Sequence, residues 1–116
     1  MDYKNLGKNC ALTSVIVGAS GMYTGRQFLI KSGHELILGR DGNFAHIIID
    51  STAKKVSRKH CAVKFDGNAQ VFYVTNFSTN GTFVLGGARL KKDVHTPLPV
   101  GTVISLGDDN NQFRLG

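Results

Sequence analysis

Residues 57–82 of this chain read SRKHCAVKFDGNAQVFYVTNFSTNGT. In this stretch Cys61, Val63 and Phe65 recur at the period of a strand and predict an inward face. The outward face would then carry His60, Ala62 and Lys64. Residues 66–68 are Asp-Gly-Asn, which tolerate positive φ and favour a tight turn, and an apolar run resumes at residues 71–75. The stretch therefore predicts a β-hairpin with a polar segment at each end.

The rest of the chain repeats this pattern of short β-branched and aromatic runs separated by Gly, Asn, Asp or Pro, as in a sandwich or barrel. Candidate strands are residues 12–17, 26–30, 35–38, 46–49, 60–65, 71–75, 82–85, 102–106 and 112–115. Residues 51–59 would make only a short helix, and four of the nine are basic, so we expect a structured loop there. We predict an all-β domain.

Length and composition fit one domain with its own core. A chain of 116 residues is too short for two domains, and a composition of 41% hydrophobic and 19% charged residues is too apolar for intrinsic disorder. The 14 Lys and Arg against 8 Asp and Glu give a net charge of +6, which favours an anionic partner. At this point nucleic acid, acidic membrane and phosphorylated protein all remain open. No apolar stretch approaches the ~20 residues of a membrane span.

Cysteine and histidine usage bears on compartment and cofactors. Cys10 and Cys61 lack both the density of a secreted disulfide scaffold and the paired spacing of a zinc site, so a reducing cytoplasm is expected and Cys61 is interpreted as a core residue. His34, His46 and His95 show no metal-ligand spacing. We therefore predict neither a metal nor a cofactor.

Residues 15–25, VIVGASGMYTG, run from a predicted strand into a glycine-rich turn and superficially match a dinucleotide-binding loop. Such a loop requires a crossover helix, whose amino terminus holds the pyrophosphate. Only seven residues, 26–32, separate Gly25 from Gly33. We interpret the segment as the turn of a β-hairpin and predict that the protein is not an enzyme.

Three polar clusters remain at predicted strand ends or in loops, where binding residues concentrate: Gly39-Arg40, residues 57–60 (SRKH) and residues 76–82 (NFSTNGT). In this order and spacing they resemble the forkhead-associated (FHA) domain family, whose pattern is Gly-Arg, Ser-x-x-His and Ser-x-Asn-Gly-Thr. The likeness continues through residues 98–107, LPVGTVISLG, where the family usually has an acidic residue in place of Thr102. Since the resemblance covers roughly residues 11–115, we assign residues 10–116 to the domain and expect residues 1–9 to be a flexible leader.

The resemblance implies a β-sandwich of about eleven strands in two mostly antiparallel, twisted sheets, with recognition loops at one end and no catalysis. It also implies a phosphothreonine-containing partner protein, such as a Ser/Thr kinase or its substrate, in cytoplasmic signalling; neither nucleic acid nor membrane is expected. The site residues carried over are Arg40, Ser57, Arg58 and Thr79 for phosphate, Asn80 for the peptide main chain, and Gly39, His60, Gly81 and Thr82 for structural support. Two interpretations stay open for Lys54, Lys55 and Lys59, which flank this site: they attract acidic residues near the phosphosite, or they are ordinary solvated lysines.

The chemistry of these residues suits the implied ligand. A phosphothreonine carries about −1.5 to −2 charges and three acceptor oxygens, so its receptor needs several convergent donors. Each charge-assisted bond contributes roughly 1.5–3 kcal/mol. Losing two or three of them with the phosphate would cost about 4 kcal/mol, or about a thousandfold in affinity.

Other interpretations of the same residues remain open. Arg40 is also consistent with a solvated arginine after a strand, and Ser57 with a turn cap. A nucleic-acid-binding domain would require aromatic residues among the basic ones, and residues 51–59 contain none. An FHA fold that binds proteins independently of phosphate is the remaining alternative.

Overall fold

The computed structural model describes residues 12–85 and 87–116. The predicted leader, residues 1–9, and Cys10 lie outside these ranges. The described residues form eleven strands and no helix: β1 Thr13–Ser20, β2 Gln27–Lys31, β3 Glu35–Gly39, β4 Ile47–Ile48, β5 Cys61–Asp66, β6 Val71–Asn76, β7 Thr82–Val84, β8 Ala88–Arg89, β9 Thr96–Pro99, β10 Val103–Leu106 and β11 Gln112–Leu115. Within this part of the chain, no helix is present that could span a membrane.

The strands form two sheets, and the all-β sandwich prediction is confirmed. One sheet has six strands in the order β2-β1-β11-β10-β7-β8, and the other has five in the order β4-β3-β5-β6-β9. All pairings within the sheets are antiparallel except that of β3 with β4. Each run predicted from sequence overlaps an observed strand.

The sequence runs did not reveal β8 and β9. Pro97 and Pro99 occupy alternate positions of β9, and proline normally argues against a strand because it cannot donate to the ladder. β9 forms at the edge of its sheet, paired only with β6, so the missing donors cost little. β8 has only two residues, both exposed, and therefore leaves no apolar pattern in the sequence.

The core lies between the sheets and is built from the inward faces of both. Phe65 of β5 and Phe72 of β6 are fully buried cross-strand partners with ring centroids 4.9 Å apart. The predicted inward face of β5 is confirmed, since Cys61 and Val63 are buried as well. Burial raises the pKa of the Cys61 thiol to about 12, which keeps it protonated and unreactive.

The predicted outward face of residues 60–65 is only partly correct. Lys64 is exposed, but Ala62 is 2% exposed and His60 is 0% exposed. Ala62 is a small residue placed between the larger cross-strand neighbours Ile37 and Thr75. His60 precedes β5 and is enclosed by loops, a tertiary contact that strand periodicity does not report.

The hairpin predicted around residues 66–68 joins β5 to β6. The Asp66 carboxylate accepts hydrogen bonds from the backbone N–H groups of Asn68 and Ala69 at 3.0 and 3.1 Å, which closes the turn. The residue with positive φ is Gln70, at 53°, rather than one of the three residues expected to need it. The turn is therefore present where predicted, with its left-handed residue placed later.

The glycine-rich segment is a hairpin turn, as interpreted from sequence, because β1 and β2 are antiparallel neighbours. Gly18 is required by close approach: a Cβ there would lie 1.8 Å from the Tyr23 carbonyl oxygen. The Tyr23 hydroxyl donates to the carbonyl of Ile48 at 2.6 Å, so the turn also connects the two sheets.

We expect Phe65→Ala to lower the free energy of unfolding by about 3–5 kcal/mol, because it leaves a cavity between the sheets. Leu29→Ala is the matched control, since the Leu29 side chain is 72% exposed and its truncation opens no cavity. Urea unfolding followed by far-UV circular dichroism measures both. Equal losses in the two variants would contradict the packing described for β5 and β6.

Candidate functional site

The three polar clusters converge at one end of the sandwich. The backbone N–H of Arg40 donates to the carbonyl of Ser57 at 3.1 Å, which joins the first cluster to the second. The His60 ring meets the carbonyl of Gly81 at 2.8 Å, which joins the second to the third. Hydrogen bonds thus join three segments that are far apart in the chain at one end of the sandwich.

Gly39 permits the closest of these approaches. A Cβ at Gly39 would lie 2.0 Å from the carbonyl oxygen of Arg58, so only glycine lets β3 pass this close to the 57–60 segment. The contact continues along the backbone, where the Asp41 N–H donates to the carbonyl of Arg58 at 3.2 Å. Gly39 therefore sets the separation between Arg40 and Ser57.

The Arg40 side chain is half-buried and tethered rather than freely solvated. Its Nε donates to the carbonyl of Val56, and its Nη1 donates to the carbonyl of Ser51 at 3.3 Å. Both acceptors belong to the loop that the sequence predicted for residues 51–59, which contains no helix. The guanidinium is thus held along this loop, next to Ser57.

His60 is the buried link between the loops. Its Nδ1 accepts a hydrogen bond from the backbone N–H of Ser57 at 3.0 Å, and its Nε2 donates to the Gly81 carbonyl. Because a backbone N–H can only donate, Nδ1 carries no proton and the ring is neutral. Burial lowers the pKa of His60, which favours this neutral form. His60 thus connects the backbone of Ser57 to that of Gly81.

Ser78 is a site residue that sequence reasoning missed. Its buried hydroxyl lies 2.6 Å from the Ser57 hydroxyl and accepts from the Asn80 N–H at 3.0 Å. One oxygen atom therefore connects Ser57 to the turn that carries Asn80. The available signal was its place as the serine of the Ser-x-Asn-Gly-Thr pattern.

The buried side chain of Asn76 stabilises that turn through hydrogen bonds. Its amide oxygen accepts from the Ser78 N–H at 3.1 Å and from the Thr82 hydroxyl at 2.8 Å, while its Nδ2 donates to the Ser78 carbonyl at 3.0 Å. An aspartate at this position would lack the Nδ2 donor. Gly81 completes the turn with a φ of 91°, a conformation that favours glycine. Gly81 and Thr82 thus both lie in the turn that Asn76 holds together.

Gly107 supports the turn from the loop between β10 and β11. Its N–H donates to the Gly81 carbonyl at 2.9 Å, and a Cβ on it would lie 2.3 Å from the Lys55 carbonyl oxygen. Its φ is 80°. Gly107 therefore contacts both the Gly81 turn and the 51–59 loop. These contacts could not be predicted from the sequence, because Gly107 is distant from both segments along the chain.

The remaining predicted residues have exposed side chains at this end: Lys54, Lys55, Arg58, Lys59, Thr79 and Asn80. The Lys59 ammonium lies 4.4 Å from the centre of the Phe77 ring, so this cation packs on the loop. The Thr79 carbonyl accepts from Arg89 Nη2 at 2.7 Å. The arrangement is a rigid, buried frame with hydroxyl, amide and guanidinium groups at its surface.

Comparison with known proteins identifies the family to which this chain belongs. The FHA domain model matches residues 36–107, which contain all three clusters. The chain belongs to the FHA domain family. The FHA assignment made from the motifs is confirmed, and FHA domains are binding modules. A search of curated protein sequences finds no match.

Solved FHA structures share the fold over nearly the whole chain. The FHA domain of the CT664 protein from Chlamydia trachomatis is 23% identical with a TM-score of 0.73, covering 88% of this chain and 94% of that one. The MEK1 FHA domain in complex with a pThr peptide of HOP1 is 22% identical with a TM-score of 0.68, covering 90% and 94%. A structure from an analysis of phosphothreonine-dependent FHA domain interactions is 28% identical with a TM-score of 0.67, covering 88% and 93%.

Ser78→Ala should lower the free energy of unfolding by about 1–3 kcal/mol, because it removes a buried hydroxyl that serves both Ser57 and Asn80. Ser105→Ala is the matched control: Ser105 is also buried, and its hydroxyl accepts from Gln112 on the outer face of the six-stranded sheet. NMR chemical shifts of residues 57–60 and 78–82 should move in the first variant only. Shifts confined to the immediate neighbours of residue 78 would contradict the connection to Ser57.

The stability of the domain should decrease as the solution is acidified below pH 6.5, the ordinary pKa of histidine, because His60 has a lowered pKa in the folded state. Below pH 6.5 the unfolded chain binds a proton at this histidine before the folded protein does. The contribution of His60 to the free energy of unfolding is therefore fully present above pH 6.5 and is lost as the pH falls through the folded-state pKa. One such group contributes at most about 1.4 kcal/mol per pH unit.

Urea unfolding of wild type and His60→Gln between pH 7.5 and pH 5 measures this dependence. The variant should be less stable at pH 7.5 and should show a shallower decline on acidification. Parallel pH profiles would show that His60 does not carry the effect.

Proposed function

We propose that this FHA domain is a non-catalytic, phosphothreonine-dependent peptide-binding module in cytoplasmic Ser/Thr-kinase signalling. The observation that carries the proposal is the hydrogen-bonded path from Arg40 through Ser57 and Ser78 to Asn80. It fixes a guanidinium-bearing residue, a hydroxyl and an amide relative to one another before any ligand arrives. Such preorganisation lowers the entropic cost of binding an anion.

The donors at this end match a dianionic phosphate. Arg40 and Arg58 offer guanidinium N–H groups, and Ser57 and Thr79 offer hydroxyls, which together can serve three phosphate oxygens. Arg58 and Thr79 are exposed and Arg40 is half-buried, so a peptide can reach them without opening the fold. Lys54, Lys55 and Lys59 add positive charge that would attract acidic residues near the phosphosite.

The main chain of the peptide would be held by Asn80, whose side chain is exposed while its N–H is bound to Ser78. The amide side chain supplies both a donor and an acceptor, which suits a backbone peptide group. The partner is then a phosphothreonine-containing protein, such as a Ser/Thr kinase or its substrate. The phosphothreonine peptide bound by the MEK1 FHA domain supports this choice of ligand.

Arg40→Ala and Ser57→Ala should each weaken binding of a phosphothreonine peptide at least about tenfold, because each removes a charge-assisted contact of roughly 1.5–3 kcal/mol. Isothermal titration calorimetry measures the affinity. Arg114→Ala is the control, since Arg114 is an exposed arginine of β11 on the outer face of the six-stranded sheet. Circular dichroism should show an unchanged fold in all three variants. Titration curves that match wild type in both site variants would reject this site.

The peptide set discriminates between the functional alternatives. A phosphothreonine-oriented library with phosphoserine and unphosphorylated counterparts should be retained in that order, the serine form several-fold weaker because the γ-methyl contributes about 1 kcal/mol. If the unphosphorylated peptides were retained as strongly as the phosphorylated ones, the result would favour a phosphate-independent scaffold and contradict the proposed function.

A further inference from the structure

Arg89 lies against the turn that carries Thr79 and Asn80, although no sequence pattern pointed to it. Its Nη2 donates to the Thr79 carbonyl at 2.7 Å, and its guanidinium carbon lies 5.7 Å from the centre of the Phe83 ring. A Cβ placed on Gly81 would lie 3.2 Å from that carbon. The guanidinium therefore adjoins the turn on which Thr79 and Asn80 are exposed.

The peptide group between Thr79 and Asn80 is held from both sides. Its N–H donates to Ser78, the residue in contact with Ser57, and its carbonyl accepts from Arg89. A trans peptide directs its N–H and its C=O in opposite directions. Arg89 thus lies across the turn from the Ser57 hydroxyl, at a position distinct from the predicted phosphate contacts.

The guanidinium is fixed in place yet retains unused donors. One hydrogen bond and one ring contact restrict its rotamers, and the side chain remains exposed. A guanidinium has five N–H donors, of which the bond to Thr79 uses one. Within residues 12–85 and 87–116 no carboxylate forms an ion pair with it. A restricted arginine that has no ion-pair partner among the described residues is well suited to bind a carboxylate through two parallel bonds.

We propose that Arg89 forms a second anion subsite beside the phosphate site, which selects an aspartate or glutamate side chain in the bound phosphothreonine peptide. This inference rests on the proposed function and extends it by naming a residue that determines peptide specificity. The subsite differs from the flanking lysines because those side chains lie on the 51–60 segment, whereas Arg89 adjoins the opposite side of the 78–81 turn. The acidic residue would therefore occupy a peptide position different from one attracted by Lys54 or Lys55.

The test is a set of phosphothreonine peptides with Glu, Ala or Lys substituted singly at the four positions on either side of the phosphoresidue. Wild type should prefer Glu over Ala by roughly fivefold at one position that depends on Arg89, the effect of an exposed ion pair near 1 kcal/mol. Arg89→Ala should abolish that preference, and Arg89→Glu should reverse it in favour of Lys. Arg89→Lys, which keeps the charge but loses the planar pair of donors, should retain part of it.

Arg26→Ala is the matched control, because Arg26 is also exposed and stacked on aromatic rings, 5.7 Å from Tyr23 and 5.3 Å from Phe28. It should leave every preference unchanged. Thermal unfolding of each variant reports whether the fold is intact, and Arg89→Ala provides the answer if Arg89→Glu does not fold.

The outcomes separate the two proposals. If Arg89→Ala weakens all peptides equally, Arg89 only holds the turn and the subsite is rejected. If wild type binds phosphothreonine peptides without any Arg89-dependent preference for Glu, the subsite is rejected while the proposed function stands. If wild type does not distinguish phosphorylated from unphosphorylated peptides, both proposals fail.

Discussion

The candidate site depends on one buried neutral imidazole. His60 receives a hydrogen bond from Ser57 on one ring nitrogen and gives one to Gly81, 21 residues further along the chain, on the other. A single side chain therefore sets the separation of the two loops. Because the ring is fully buried, losing either bond would leave an unsatisfied polar group, which costs about 1–3 kcal/mol. The loops therefore keep their relative position without a ligand.

Around this histidine the site uses buried polar groups to hold the exposed ones. Asn76, Ser78 and Thr82 are all buried and hydrogen-bonded to one another or to the backbone between them. None of these three needs to touch a ligand to matter, since they fix the turn on which Thr79 and Asn80 are exposed. A fully satisfied polar network of this kind specifies one conformation, whereas an apolar core beneath the loops would not.

Glycines bring the loops within hydrogen-bonding distance. Gly39 and Gly107 each lie where a Cβ would come closer than 2.5 Å to a backbone carbonyl of the 51–60 segment. Backbone atoms cannot move aside as a flexible side chain can, so these two positions limit how tightly the site closes. At the same end of the domain, Arg89 donates a hydrogen bond to the Thr79 carbonyl. This bond connects the exposed two-residue strand β8 to the turn.

The sequence alone determined the fold class and most strands, because β-strand periodicity is local, and it predicted candidate site residues, because the three motif clusters lie in short segments. It did not reveal β9, whose prolines are tolerated only because the strand is at an edge, or the burial of His60 and Ala62, which depends on what packs against them. The tertiary structure alone showed that Gly107 and Arg89 adjoin the site and that the Ser78 hydroxyl contacts both Ser57 and Asn80. Their contacts are made across turns and between loops distant in the chain, and a one-dimensional pattern does not contain the distances that decide such hydrogen bonds.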